Sequence, residues 1–97
     1  MKCKINSLEF RTPIILSSCD LFVNEKNIKK FYQSYVGAIV LKTTSGEPCK
    51  GYNKPHIAKF GDGILVASGM TNPGIIEMCK IVKKLKGIPL IGSVVNP

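Results

Sequence analysis

The chain has 97 residues, and its 14 lysines and arginines against 6 aspartates and glutamates give a formal net charge of +8. This length allows one domain at most, and a hydrophobic fraction of 44% is typical of a folded protein rather than a disordered basic tail. No apolar run approaches the roughly 18 residues of a membrane-spanning helix, and the first residues lack the apolar stretch of a secretory signal. We therefore expect a cytoplasmic protein without a membrane segment.

The four cysteines, at positions 3, 19, 49 and 79, form no closely spaced pair. Zinc sites favour tighter pairs, so we expect no metal site. Two disulfides are the alternative to reduced thiols, and the lack of a secretory signal favours the thiols. Cys79 lies among apolar residues and is expected to be a small core residue. Cys49 lies beside Lys50 and is interpreted as a surface thiol, with a reactive thiol as the alternative.

The first two predicted elements are extended. Residues 2–11 alternate polar and apolar positions and predict a short hairpin packed against a larger body. The apolar run at 14–16 is closed by two serines, and such a run between turn residues is typical of a buried parallel strand.

An amphipathic helix and a second strand follow. Asn24 is predicted to cap the helix, and Gly37 to end it. Residues 38–41 form another apolar run, which predicts a buried strand with Lys42 at its C-terminal end. The apolar positions of the helix are Ile28, Phe31, Tyr32 and Tyr35.

The next segment is irregular. Residues 45–63 are rich in glycine, proline, asparagine and lysine and predict a long loop, and loops of this length are usually functional or disordered. A short strand is predicted at 64–67. A second helix is then predicted with Asn72 as N-cap, Pro73 at its first position and Gly87 after its end. Its apolar positions are Ile75, Met78, Val82 and Leu85.

Residues 89–95 predict a third strand. The order is then hairpin, strand, helix, strand, long loop, helix, strand, and this alternation predicts a parallel sheet with right-handed crossovers. Parallel sheets are buried on both faces, whereas two helices cover three strands only in part. We therefore interpret residues 1–97 as a single, partial domain.

Polar side chains follow each of the three predicted parallel strands. These positions are informative because the loops after the C-terminal ends of parallel strands build the sites of α/β proteins. A lysine at the rim of a buried sheet needs an anionic or electron-rich partner, since an unpaired charge there is costly. From the residues alone, Lys42 is either a functional group or an ordinary strand-end charge. Likewise Ser18 and Ser93 either contact a bound ligand or only cap the ends of their strands.

Five sequence strings follow one another in a recognisable order: TPIILSS at 12–18, GAIVLKTT at 37–44, EP at 47–48, GMTNPG at 69–74 and PLIGSV at 89–94. The ordered set resembles the N-terminal part of class 1 dihydroorotate dehydrogenases, FMN-dependent (β/α)8 barrels that oxidise dihydroorotate to orotate in pyrimidine biosynthesis. The resemblance implies an α/β fold made of an N-terminal hairpin and the first three βα units of a TIM-type barrel. A closed barrel takes about 250 residues, so this barrel is incomplete.

The resemblance also implies roles for individual residues. Ser18, Lys42, Thr43 and Ser93 match family positions that contact FMN, and Lys42 matches one that also contacts the substrate. A fixed cation beside the flavin stabilises the negative charge that hydride transfer places on the ring. The family's catalytic base lies beyond the third strand, so we expect no catalytic residue in this chain and no activity of the chain alone. The remaining positions that match the substrate site are Ser68, Gly69 and Met70.

Two positions depart from the family's pattern. Val66 stands where the family has an asparagine that pairs with the pyrimidine, and loss of a buried polar contact costs about 1–3 kcal/mol. This departure keeps open a flavin-binding relative that acts on another small cyclic substrate. His56 stands where the family has an arginine, and we expect a surface-loop histidine there rather than a base.

The sequence leaves the partners open. The rest of the barrel comes either from a longer parent chain or from a complementing chain. The sequence does not determine whether the protein forms a homo-oligomer, which electron acceptor it uses, or whether it pairs with an iron–sulfur subunit. A small basic nucleic-acid-binding module is the alternative from another class, since a charge of +8 favours phosphate contacts. Against it, no nucleic-acid-binding motif is present, and the lysines are interleaved with apolar helix positions.

Overall fold

A computed structural model describes residues 1–96. In this part of the chain two helices, two antiparallel hairpins and a parallel sheet give a mixed α/β arrangement, in agreement with the predicted class. Within the same residues, neither helix is long and apolar enough to cross a membrane. The elements are β1 (Cys3–Ile5), β2 (Leu8–Phe10), β3 (Ile15–Leu16), α1 (Glu25–Tyr32), β4 (Ala38–Val40), β5 (Ile57–Phe60), β6 (Gly63–Val66), α2 (Ile75–Lys83) and β7 (Leu90–Ile91).

The three parallel strands lie in the order β3, β4, β7, with β4 in the centre. Leu16 and Leu90 both pair with Ile39, one from each side. Because the strands are parallel, their C-terminal ends meet at one edge of the sheet. The third strand is shorter than the predicted 89–95, and only an isolated bridge between Thr44 and Val94 continues its pairing with β4.

The core lies between the sheet and the helices. Ile39 of β4 packs in one cluster with Ile28 of α1 and Met78 of α2. Full burial of a side chain of this size contributes about 1.5–3 kcal/mol. Side chains alternate along a strand, so Ile15 and Ile91 lie on the opposite face of the sheet, and both are exposed. Ala38 lies on that same face and is fully buried, so within residues 1–96 this second face is covered only in part.

Helix α1 begins where the sequence predicts, because the Asn24 side chain accepts a hydrogen bond from the Asn27 N–H at 3.1 Å. It ends before Gly37, since Tyr35 adopts a left-handed conformation with φ of 64°. The hydrogen bond from Lys29 lowers the pKa of Glu25. This pair stabilises α1 above the ordinary carboxyl pKa, and the stabilisation is lost as the pH falls through the lowered pKa.

The prediction for the start of α2 was wrong. Gly74, with φ of 84°, is the N-cap, so Pro73 precedes the helix and Asn72 lies two residues before the cap. Cys79 was expected in the core and is instead exposed. Its neighbour Met78 points into the core, and adjacent residues of a helix face different directions. All four cysteines are free thiols.

The N-terminal hairpin of β1 and β2 packs at the N-terminal end of β4. Gly37 permits this approach, because a Cβ atom there would lie 2.1 Å from the Thr12 carbonyl oxygen. Arg11 fixes the hairpin to the end of α1: Nε donates to the Val36 carbonyl at 2.8 Å, and the guanidinium also donates to the Tyr32 carbonyl. The guanidinium carbon lies 3.8 Å from the centroid of the Tyr32 ring.

We expect Arg11→Ala to lower the free energy of unfolding by about 2 kcal/mol, because it removes two hydrogen bonds and a cation–π contact. Lys2→Ala, an exposed cation in the same part of the chain, is the matched control and should change stability by no more than about 0.5 kcal/mol. Urea denaturation of both variants measures the difference. Equal effects would show that Arg11 does not hold the hairpin to α1.

The predicted loop at 45–63 is only partly a loop. Its last residues form β5, which pairs antiparallel with β6 across a Gly61–Asp62 turn. A glycine and an aspartate between two apolar runs is a hairpin signal that the sequence analysis missed. Every residue of both strands is exposed. Backbone hydrogen bonds between the two arms continue beyond the strands, with the Ala67 N–H donating to the His56 carbonyl at 2.8 Å.

Candidate functional site

Three hydroxyl side chains form a row at the C-terminal edge of the sheet. The Oγ1 atom of Thr43 lies 2.8 Å from the Oγ atom of Ser93 and 3.5 Å from that of Ser18. The hydroxyl of Ser18 also donates to the Leu41 carbonyl at 2.8 Å. The three residues follow β3, β4 and β7, so this hydroxyl row crosses the whole edge. The structure brings together three of the four residues predicted to contact FMN.

Lys42, the fourth, precedes Thr43 and is largely buried, with 11% of its side chain exposed. Its ammonium nitrogen lies 2.5 Å from the carboxylate of Asp20, which is 43% exposed. The backbone N–H of Lys42 donates to the Phe22 carbonyl at 3.0 Å, which ties the loop after β3 to the end of β4. An anionic partner was expected for Lys42, but Asp20 was not predicted to be that partner. The available signal was its position, two residues after Ser18 at the same edge of the sheet.

The predicted substrate residues lie in the loop between β6 and α2. The Ser68 carbonyl accepts a hydrogen bond from the Tyr52 N–H at 2.9 Å, and the Gly69 carbonyl accepts one from the Cys49 thiol at 3.6 Å. Met70 adopts a left-handed conformation with φ of 63°. These contacts group Ser68 and Gly69 with the 49–52 segment rather than with the hydroxyl row.

Asn72 anchors this loop from a buried position. Its Oδ1 atom accepts hydrogen bonds from the N–H groups of Ser45 at 3.2 Å and Gly74 at 2.9 Å. Its Nδ2 atom donates to the Ser45 hydroxyl at 3.1 Å and to the Met70 carbonyl at 2.8 Å. The side chain predicted as a helix cap therefore holds the segment after β4 against the segment before α2.

A cavity of about 440 Å³ lies beside the site, with Asp20, Lys54, His56 and Thr71 among its lining residues. The Nε2 atom of His56 lies 2.7 Å from the Tyr52 carbonyl oxygen, so this nitrogen is engaged with the backbone. His56 lies in the loop before β5 and is partly buried.

Val66, at the end of β6, is exposed and does not line this cavity. The long side chains of the helices are also exposed: Lys29 pairs with Glu25 and Lys80 with Glu77, each at 2.9 Å and within its own helix. These lysines are the solvated helix faces that the sequence predicts.

Comparison with known proteins decides the family. Residues 1–91 match the sequence model of the family described as dihydroorotate dehydrogenase. The chain belongs to the dihydroorotate dehydrogenase family. This match confirms the resemblance that the ordered strings predict, and it covers the hairpin, the parallel sheet and both helices.

Curated relatives from this family match nearly the whole chain. The dihydroorotate dehydrogenase B (NAD(+)) catalytic subunit of Methanothermobacter thermautotrophicus is 30% identical over 95 residues, which cover 97% of this chain and 31% of the relative. The subunit of the same description from Thermococcus kodakarensis is 31% identical over 98 residues, which cover 97% of this chain and 32% of the relative. That from Thermoplasma acidophilum is 29% identical over 96 residues, also with 97% and 32% covered. The chain spans about a third of the length of these relatives.

Proposed function

We propose that this chain supplies one side of the FMN site of a dihydroorotate dehydrogenase. The observation that carries the proposal is the hydroxyl row of Ser18, Thr43 and Ser93 beside the largely buried Lys42, in a chain of this family. In this proposal residues 1–97 are one partial domain, the N-terminal hairpin and first three βα units of a (β/α)8 barrel. The position of the row at the C-terminal edge of a parallel sheet supports it.

The donor set fits a flavin. Hydroxyl groups both donate and accept hydrogen bonds, so the row can bind the carbonyl oxygens and ring nitrogens at the polar edge of the isoalloxazine. Bound FMN would supply hydride acceptance from the substrate. Lys42 would place a fixed positive charge where the ring gains negative charge, and its low exposure strengthens that interaction relative to water.

We propose dihydroorotate, or another small cyclic molecule, as the substrate. Lys42 and the loop residues Ser68, Gly69 and Met70 would contact it. Val66 stands in place of the family's asparagine and offers no hydrogen bond to a pyrimidine. This difference supports a small cyclic substrate other than dihydroorotate as the alternative. The name of the relatives, NAD(+)-linked catalytic subunits, supports a partner subunit that carries electrons onward, and we propose a cytoplasmic location for the complex.

We further propose that the rest of the barrel, in a longer parent chain or in a complementing chain, completes the enzyme, and that the 97 residues are inactive alone. Two features support this. The sheet face that carries Ile15 and Ile91 is covered only in part, and β3 and β7 each have one unpaired edge within the described residues. The chain also spans only about a third of the length of its relatives.

Fluorescence titration of FMN tests the proposal. The 97-residue chain is titrated alone and together with the C-terminal two thirds of the Methanothermobacter subunit, and we expect FMN to bind the mixture more tightly than either part. Ser93→Ala should weaken this binding about tenfold, equivalent to about 1.4 kcal/mol for one hydrogen bond. Ser34→Ala, at an exposed serine after α1, is the matched control and should have no effect. Failure of FMN to bind in every combination would contradict the proposal.

A further inference from the structure

The two side chains of the Lys42–Asp20 ion pair differ in their exposure to solvent. Lys42 exposes 11% of its side chain, so removal of its counter-ion leaves a positive charge in a poorly solvated place. Asp20 exposes 43%, so water can solvate its carboxylate once it leaves the ammonium. The lysine therefore needs a partner at all times, whereas the aspartate can give up its own.

Asp20 also has room to move. The turn that carries it is fixed on both sides: Ser18 donates to the Leu41 carbonyl, and the Phe22 carbonyl accepts from the Lys42 N–H. Between these two points the Asp20 side chain borders the cavity of about 440 Å³. Lys54, a second cation, is among the residues that line the same cavity.

We propose that Asp20 is an exchangeable counter-ion, which pairs with Lys42 in the free site and gives way when the carboxylate of a ligand reaches the ammonium. Asp20 is then a specificity-determining residue. It lowers the affinity of the site for anionic ligands, because each must displace a carboxylate already in place, and it leaves the affinity for neutral ligands unchanged. The inference rests on the proposed function only for the choice of pyrimidine ligands as probes.

The exchange can be observed at the ammonium group of Lys42. The chain is labelled with ¹⁵N at the lysine ammonium groups and titrated with orotate and, separately, with uracil, which has the same ring without the carboxylate. The Lys42 resonance is assigned by its absence from Lys42→Met. We expect orotate to shift this resonance and uracil to leave it unmoved.

Three variants at aspartates separate exchange from a purely structural role. Asp20→Asn removes the competing charge, keeps the shape and should bind orotate about tenfold more tightly than the unmodified chain, with uracil unaffected. Asp20→Glu retains the charge and should restore the original orotate affinity. Asp62→Asn, in the exposed turn between β5 and β6, is the matched control and should not change orotate binding.

Each outcome decides the proposal. Tighter orotate binding by Asp20→Asn, with uracil unchanged, supports the exchange. Equal orotate affinity in the unmodified chain and Asp20→Asn, or no response of Lys42 to orotate, would overturn it. FMN is titrated into the same variants, alone and together with the C-terminal two thirds of the Methanothermobacter subunit. FMN binding without an effect of Asp20 refutes the exchange alone, and an effect of Asp20 without FMN binding refutes the flavin assignment alone.

Discussion

Replacement of Lys42 by methionine is expected to weaken FMN binding by about 10- to 100-fold. The range follows from the roughly 1.5–3 kcal/mol that a hydrogen bond to a charged group contributes, at 1.4 kcal/mol for each factor of ten. Methionine keeps the length of the aliphatic stem and removes only the ammonium group. Fluorescence titration of the complemented protein, as used for Ser93→Ala, measures the change.

The effect of Lys42→Met on folding should be small, which makes the binding result interpretable. Asp20 loses its partner, but its carboxylate is half exposed and water replaces the ammonium. Lys26→Met, at an exposed position on α1, is the control for general loss of positive charge. If both variants bind FMN with the affinity of the unmodified protein, Lys42 has no part in the flavin site.

Asn72→Ala is expected to lower the free energy of unfolding by about 2–4 kcal/mol. The substitution removes all hydrogen bonds of one buried side chain and leaves the N–H groups of Ser45 and Gly74 without these partners. Because the side chain joins the segment after β4 to the segment before α2, we also expect faster amide hydrogen exchange at both N–H groups.

The control for this prediction is Asn53→Ala, the same change at an exposed position of the long loop, with an expected effect within about 0.5 kcal/mol. Urea denaturation gives the free energies, and hydrogen exchange followed by NMR locates the change. A loss of stability without faster exchange at Ser45 and Gly74 would place the effect elsewhere, and the anchoring role of Asn72 would be wrong.

The sequence predicts those parts of the molecule that depend on local pattern. The three parallel strands are continuous apolar runs, and α1 begins at an asparagine whose side chain caps it. The hydroxyl row was also predictable, since the ends of parallel strands meet at one edge wherever such a sheet forms. Ser18, Thr43 and Ser93 lie up to 75 residues apart in the sequence, yet this rule alone brings them together.

The predictions from the sequence failed where a polar side chain has a partner that is distant in the chain. Asn72 has the residue type and spacing of a helix cap, but hydrogen bonds to Ser45, 27 residues earlier, hold it, and Gly74 takes the cap position. Asp20 pairs with Lys42 across 22 residues, and only its position after β3, at the same edge of the sheet, could have indicated this. Local periodicity reports which face of an element is apolar, and it carries no information on which polar groups meet.

The hairpin of β5 and β6 determines where the chain can be altered. A two-stranded ribbon without a packed face has little stability of its own, and every residue of both strands is exposed. A protease should therefore cut first near the Gly61–Asp62 turn, before it reaches the parallel sheet. The same turn is a suitable position to insert a reporter peptide or to split the gene, because such changes leave the hydroxyl row and its three strands intact.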